Sequence, residues 1–184
     1  MKAIRELKDE HGGVKVMLAI LGKVCDRLEA GQRVDPKHLE EILEFLKVFV
    51  DKCHHAKEED HLFPALEKAG IPKEGGPIGM MLHEHQAGRD FIRGMAQAAA
   101  ALAGGDAGAA KRFAANARSY SDLLLQHIEK EDNVLYPMAE ARLPANADEA
   151  LTAAFGKVEE ERVGHGRHEE FHRMMDRLKA VYGV

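Results

Sequence analysis

Several features that mark other classes of protein are scarce or missing in this chain of 184 residues. Tryptophan is absent, and Cys25 and Cys53 are the only cysteines, which excludes a disulfide framework and favours a reducing compartment. The formal net charge is −5 and no stretch is densely basic, which argues against a nucleic-acid partner. No apolar run approaches the roughly 20 residues that span a bilayer, and the first residues are charged, unlike the apolar core of a signal peptide. We therefore expect a cytoplasmic protein with no membrane partner.

Helix-favouring residues are abundant instead, and no stretch has the alternation of a strand. Apolar periodicity and Gly/Pro breaks predict helices over about 2–29, 36–69 and 78–103, a fourth from after Asp106 to about Arg142, and a less regular stretch over 147–182. Pro64 and Pro137 predict a kink or a local end. The predicted fold is all-α, an antiparallel up-down four-helix bundle with an additional C-terminal helical segment. Residues 1–143 would form the bundle as two repeats, about 3–70 and 77–143, and 144–184 a helical extension packed on it.

A doubled motif is the main chemical signal in the sequence. His-x-x-x-Glu, a further carboxylate and Leu-aromatic-Pro occur twice, 73 residues apart, beginning at His54 and at His127. Each copy follows a Glu-His pair, at Glu10-His11 and at Glu84-His85. A repeat that keeps imidazole and carboxylate in phase predicts two half-sites that face one another.

Helical stepping places these groups on apolar stripes that should face the core. The stripe of the second helix runs through Leu43, Leu46, Val50, His54, Glu58, Leu62 and Ala65, and that of the fourth through Tyr120, Leu123, Leu124, His127, Glu131, Val134 and Met138. His11 and His85 lie on the inward stripes of the first and third helices. Buried carboxylates cost several kcal/mol unless paired or coordinated, and the pattern shows no Lys or Arg opposite them. Four imidazoles and two carboxylates suit two adjacent first-row transition ions, iron being the leading candidate.

The doubled motif resembles the hemerythrin-like, or HHE cation-binding, domain over about residues 3–140. The resemblance implies a four-helix bundle that holds two iron ions in a non-haem, oxo- or hydroxo-bridged centre. Its metal ligands would be His11, His54, Glu58, His85, His127 and Glu131, with Glu58 and Glu131 as bridging carboxylates. The chain departs from the oxygen-carrying hemerythrins at Met81, where those have a histidine four residues before the equivalent of His85. They also have His-x4-Asp where this chain has His127-x3-Glu131. One iron would then lack a ligand or take it from elsewhere.

Other histidines are candidates for that ligand. His55 is expected to point about 100° away from His54, and His61 to line the end of the site. His168 and His172 have ligand spacing, but partly exposed histidines on a capping helix are the favoured interpretation. We expect His38, His83 and His165 to be surface residues and Cys53 to be a buried, inert thiol. Tyr120 is a weaker candidate donor to a bound oxygen species.

These features favour a non-haem di-iron protein that binds or senses a small diatomic or peroxide ligand, such as O2, NO or peroxide, over a dedicated enzyme. The alternatives are an enzyme that reduces peroxide or NO or supports iron–sulfur repair, an iron storage or transfer protein, and a metal that only stabilises the bundle. No catalytic residue is predicted, and the oligomeric state stays open.

Overall fold

A computed structural model describes residues 1–164 and 166–184, and every regular element within those ranges is helical. The α-helices are α1 (Lys2–Glu29), α2 (Pro36–Phe45), α3 (Phe63–Lys68), α4 (Pro77–Ala103), α5 (Ala109–Lys130), α6 (Tyr136–Arg142), α7 (Ala147–Val158) and α8 (Arg167–Tyr182). Four π-helical segments join some of them: π1 (Leu46–His55), π2 (Glu58–Leu62), π3 (Glu131–Leu135) and π4 (Glu159–Val163). The chain is unbroken helix over 36–68 and again over 109–142, so α1, rod 36–68, α4 and rod 109–142 are the four long elements.

Contacts between the ends of these elements show that neighbours run in opposite directions. Glu10, near the start of α1, hydrogen-bonds His54, which lies late in rod 36–68. Near the end of α1, the sulfur of Cys25 lies 4.0 Å from the carbonyl oxygen of Ala114, early in α5. This arrangement confirms the predicted all-α, antiparallel bundle.

A wide helical turn precedes each of the two internal prolines. Phe63 and Tyr136, directly before Pro64 and Pro137, donate their backbone N–H to the carbonyls of Glu58 and Glu131, five residues back. A proline has no N–H to donate and its ring crowds the carbonyl four residues back, and the wide turn accommodates both effects. The predicted kink or end is therefore a change of helix type, and the helix continues beyond it.

The wide turn also changes which residues face the core. The α-helical period predicts an inward Val134, but Val134 is 51% exposed while Leu135 and Tyr136 are buried. The prediction for Val134 was wrong because a wide turn rotates less per residue and shifts the inward stripe by one position. π-Turns inside helices are frequent at functional sites, and here one begins at each motif glutamate.

A polar layer divides the buried core into two apolar clusters. On α1, the cluster nearer the N-terminus includes Ala3, Ile4 and Leu7, and the larger cluster begins at Val14. His11 lies between them and is 1% exposed. The site described below is thus closed by apolar side chains above and below, which keeps bulk water away from it.

The C-terminal segment contacts the bundle at both ends. Asp148 of α7 accepts hydrogen bonds from the backbone N–H groups of Lys2 and Ala3, at 2.8 and 2.9 Å, and so caps α1. Phe171 of α8 makes an edge contact with the ring of Phe45, at 5.5 Å between centroids. Gly164, after π4, and Gly166, before α8, adopt positive φ, a backbone conformation that glycine accepts readily. His165 lies outside the described residues.

Candidate metal centre

Four buried imidazoles meet in two pairs at the centre of the bundle. In the first pair the Nε2 atoms of His11 and His54 lie 3.1 Å apart, and in the second pair those of His85 and His127 are also 3.1 Å apart. Each pair joins the start of one long element to the late part of the next. The sequence repeat is therefore a repeat in space.

The other ring nitrogen of each imidazole is bound by a carboxylate. The Nδ1 partners are Asp132 for His11, Glu10 for His54, Glu59 for His85 and Glu84 for His127, all at 2.7 to 2.9 Å. A carboxylate accepts hydrogen bonds, so Nδ1 is the donor in each case and a neutral ring has its lone pair on Nε2. Facing Nε2 lone pairs repel each other unless a proton or a cation lies between them. Carboxylate–imidazole–metal is the usual arrangement around protein-bound metals.

Two buried glutamates complete the polar layer, and they are not equivalent. The two oxygens of Glu131 divide between the pairs, with Oε2 at 3.2 Å from Nε2 of His11 and Oε1 at 3.1 Å from Nε2 of His127. Glu58 accepts a 2.8 Å hydrogen bond from the Tyr136 hydroxyl at Oε1, so only Oε2 faces the imidazoles, at 3.4 Å from Nε2 of His85. Glu131 thus presents one oxygen to each imidazole pair, whereas Glu58 has a single oxygen that faces the imidazoles.

The donor set fits a pair of metal ions. Within the described ranges, both oxygens of Glu131 and Oε2 of Glu58 are buried without a hydrogen bond in proper geometry. The donor atoms of His11, His54 and Glu131 lie within 4.8 Å of one another, as do those of Glu58, His85, His127 and Glu131. Nitrogen and oxygen donors together favour first-row transition ions over Mg²⁺ or Ca²⁺. All six predicted ligands lie in this layer.

In the absence of a metal ion, protons on neighbouring imidazoles compensate the charge of Glu131. Burial lowers the pKa of His127, but the negative charge of Glu131 outweighs it and raises that pKa to about 10. The pKa of His11 is raised for the same balance of reasons. Burial would raise the pKa of Glu131, but His127 and His11 hold it well below its usual range. A metal ion that enters therefore displaces protons.

Comparison with known proteins assigns the chain to a family. Residues 2–139 match the hemerythrin HHE cation-binding domain. The chain belongs to this family. The matched range includes both motif copies and the six predicted ligands, and the match supports metal-cation binding by this chain.

The relatives are distant. An uncharacterised protein of Mycobacterium tuberculosis and one of Mycobacterium bovis are each 28% identical over 162 residues, which is 88% of this chain and 63% of theirs. The iron–sulfur cluster repair protein YtfE of Edwardsiella ictaluri is 30% identical over 125 residues, 66% of this chain and 56% of that protein. The chain thus spans about 63% of the length of its mycobacterial relatives. No solved structure matches it.

His55 lies inside this HHE centre, contrary to the expected direction. It is 3% exposed, and its ring stacks on that of His85 with 3.8 Å between centroids. The prediction assumed α-helical rotation, but His55 ends the π-helical segment π1. Its donor atom lies within 4.8 Å of those of His85 and His127. The adjacent pair His54-His55 was the only signal of this in the sequence.

A buried lysine lies behind the first imidazole pair, where none was predicted. Lys57 is fully buried, and its ammonium donates to Glu10 at 2.5 Å, to Glu159 at 2.6 Å and to Glu6 at 2.7 Å. Its repeat counterpart Lys130 binds Glu84, the counterpart of Glu10, but is 40% exposed. No Lys or Arg contacts Glu58 or Glu131 in the described part of the chain, as expected.

The remaining candidates lie away from the two pairs. His168 is near the sulfur of Cys53 at 3.9 Å and near Glu159 at 3.8 Å. Glu10, Cys53, Glu159 and His168 have ligand spacing of their own, but the ammonium of Lys57 already binds both glutamates. His172 and His83 are exposed, His61 is half-buried, and His38 contacts the Tyr182 hydroxyl at 2.9 Å.

Two predictions on side chains at the margin can be compared with the structure. Burial raises the pKa of the Cys53 thiol to about 12, as expected of an inert thiol. Tyr120 is buried in the larger apolar cluster, and its hydroxyl has no hydrogen-bond partner among the described residues. Tyr136, predicted only as part of the Leu-aromatic-Pro motif, is the tyrosine that contacts a motif glutamate.

Among the described residues, no helix combines the length and the apolar character that a membrane span requires.

Proposed function

We propose that this HHE domain holds two iron ions in a non-haem centre and binds or senses a small oxidant, namely O2, peroxide or NO. The observation that carries the proposal is the pair of facing Nε2 atoms in each half, with Glu131 offering one oxygen to each half. Bound iron would supply ligation of the oxidant and electron transfer. The ligands would be His11, His54, Glu58, His85, His127 and Glu131.

The protein side chains would hold this centre and control its protons. Carboxylates on every Nδ1 fix the ring orientations and increase the basicity of Nε2. Burial, and then the charges of Glu131 and Glu58, raise the pKa of Tyr136 well above its usual value, so its hydroxyl remains a hydrogen-bond donor. That donor lies at the layer itself and would be available to hydrogen-bond an oxidant bound there.

A cavity of about 670 Å³ lies beside the first pair. It lies between α1 and the C-terminal segment, and Glu6, Glu10, Phe49, Glu159 and His168 are among the residues that line it. Glu10 connects the cavity to the centre, because it lines the cavity and its Oε2 atom accepts a hydrogen bond from Nδ1 of His54. A diatomic molecule or peroxide is small enough to enter, which supports a small oxidant as the ligand.

Metal analysis of protein purified without oxygen, with spectra before and after O2, tests the proposal. We expect two irons per chain and an absorption change on exposure that reverses when O2 is removed, or a comparable change with NO or peroxide. His54→Gln should lower the iron content, whereas His83→Gln, at an exposed position on α4, should not. Iron content unchanged by His54→Gln would contradict the site, and two irons with no response to any oxidant would contradict the function.

Iron–sulfur repair is a second candidate, and the likeness to YtfE favours it. In that case the iron-loaded protein would restore activity to an enzyme whose cluster has been damaged by NO or peroxide. The decisive comparison is between the iron-loaded protein and an equal amount of free Fe²⁺. Equal restoration by both would remove this candidate and leave the oxidant-binding proposal unaffected. Turnover of many equivalents of peroxide or NO per iron would instead indicate a reductive enzyme.

A further inference from the structure

We infer that His55 is a fifth imidazole ligand, belonging to the metal position between His85 and His127. The inference rests on the proposed di-metal centre and adds to it a residue outside the doubled motif. Its consequence is that the two metal positions have different ligand sets.

The first observation is that His55 is buried without a partner. Only 3% of it is exposed, and neither ring nitrogen makes a hydrogen bond to any described residue. A buried polar group left unsatisfied costs about 1–3 kcal/mol, and such groups in folded proteins call for an explanation. The sequence could have placed an apolar residue here at no such cost, as it does at the repeat counterpart, Ile128, which is 1% exposed.

The second observation is where the ring lies. It is nearly parallel to the ring of His85, with an interplanar angle of 14°, and roughly perpendicular to that of His127, at 76°. The donor atoms of the three residues lie within 4.8 Å of one another, so a modest movement of His55 brings all three onto one ion.

The third observation is the environment of Nδ1. Asp51 lies 3.6 Å from it, which is too long for a hydrogen bond but puts a carboxylate beside the same nitrogen as in the other four imidazoles. Arg89 holds Asp51 in place through a 2.7 Å hydrogen bond.

The two positions then differ in a defined way. The position at His85 and His127 has three imidazoles, while the position at His11 and His54 has two, because Ile128 fills the place that His55 has in the other half. The position with fewer protein ligands is the one open to an added ligand. It is also the side on which the cavity lined by Glu10 lies.

Proton NMR of the Co²⁺-loaded protein in water counts bound imidazoles directly. Each imidazole on the paramagnetic ion gives one far-shifted, exchangeable ring N–H signal, and we expect the Nδ1–H groups of these buried rings to exchange slowly enough to be seen. We expect five such signals in the wild type and in His83→Gln, and four in His55→Gln. The tighter of the two Co²⁺ affinities should fall by at least about tenfold in His55→Gln, while two ions still bind.

Four signals in the wild-type protein would overturn the inference and leave the di-metal centre standing. The wild-type count is read without any substitution, so poor folding of His55→Gln would not obscure the result. Fewer than four signals, or binding of fewer than two Co²⁺ ions by the wild type, would overturn the proposed centre and this inference with it.

Discussion

Replacing Lys57 by methionine should destabilise the protein far more than the same change at Lys130, its counterpart in the repeat. Methionine keeps the length of the buried stem and removes only the charge. Glu10, of which 7% of the side chain is exposed, would then lose its cationic partner inside the bundle. Breaking one partner out of a buried ion pair costs about 3–5 kcal/mol, because the other charge is left buried. Glu6 and Glu159 are about a third exposed and should add little.

The matched change at Lys130, whose side chain is 40% exposed, removes the ammonium that binds Glu84. It should lower the free energy of unfolding by at most about 1 kcal/mol. For a chain of this size, 1 kcal/mol moves the melting temperature by about 2–4 °C. Lys57→Met should therefore lower the melting temperature by about 6–20 °C, and Lys130→Met by less than about 4 °C.

The assay is thermal unfolding followed by circular dichroism, with the metal removed from both variants because bound metal adds its own stabilisation. The urea midpoint provides a second measure of the same difference. Equal shifts for the two variants would refute the reasoning, since they would show that burial of the Lys57–Glu10 pair has no energetic consequence.

Three further predictions concern the centre itself. Glu131→Gln removes an anionic donor from both metal positions and should leave fewer than two metal ions per chain after dialysis. The control Glu129→Gln, at an exposed position nearby, should keep both ions. Equal metal content in the two variants would contradict the bridging role of Glu131. Because His127 has a pKa raised to about 10 without metal, binding of Co²⁺ at pH 7 should release protons. The Co²⁺ affinity should then rise with pH, by up to tenfold per unit for each proton displaced. Calorimetry in buffers of different ionisation enthalpy measures the protons released, and a Co²⁺ affinity independent of pH would refute the prediction. Tyr136→Phe should keep two metal ions but change the optical spectrum of the metal-loaded protein, because Glu58 regains a free oxygen. An unchanged spectrum would show that the hydrogen bond from Tyr136 to Glu58 does not affect the metal centre.

The helices and their ends followed from local chemistry and could be predicted from the sequence. Asp35 caps the second long element by accepting the Lys37 backbone N–H at 2.9 Å, and Pro36 occupies its first position; both residue types favour these places. The break between Val163 and Arg167 coincides with two glycines at positive φ. The spacing of imidazoles and carboxylates likewise placed all six predicted ligands in one layer.

The errors came from two effects that periodicity does not contain. A constant α-helical rotation puts Val134 inside and His55 outside, whereas the π-helical segments reverse both. The Pro residues signalled a disturbance of the helix, but not that the disturbance would shift the inward face. Lys57 was missed because its third carboxylate, Glu159, comes from a segment 102 residues later, and only the folded chain shows that the segment covers this side.

The differences between the two repeats bear more on function than their agreements. The paired imidazoles, their carboxylates and the lysines behind Glu10 and Glu84 recur in both halves, and such a set would hold two ions in like surroundings. The halves differ at two buried places beside the metal ligands, His55 against Ile128 and Tyr136 against Phe63. Phe63 has no hydroxyl, so Glu131 keeps both oxygens free to bridge, while Tyr136 takes one oxygen of Glu58. The first difference adds a nitrogen donor on the His85–His127 side, and the second takes one oxygen of Glu58 away from the centre. We therefore expect an incoming ligand to meet the least competition on the His11–His54 side, next to the cavity.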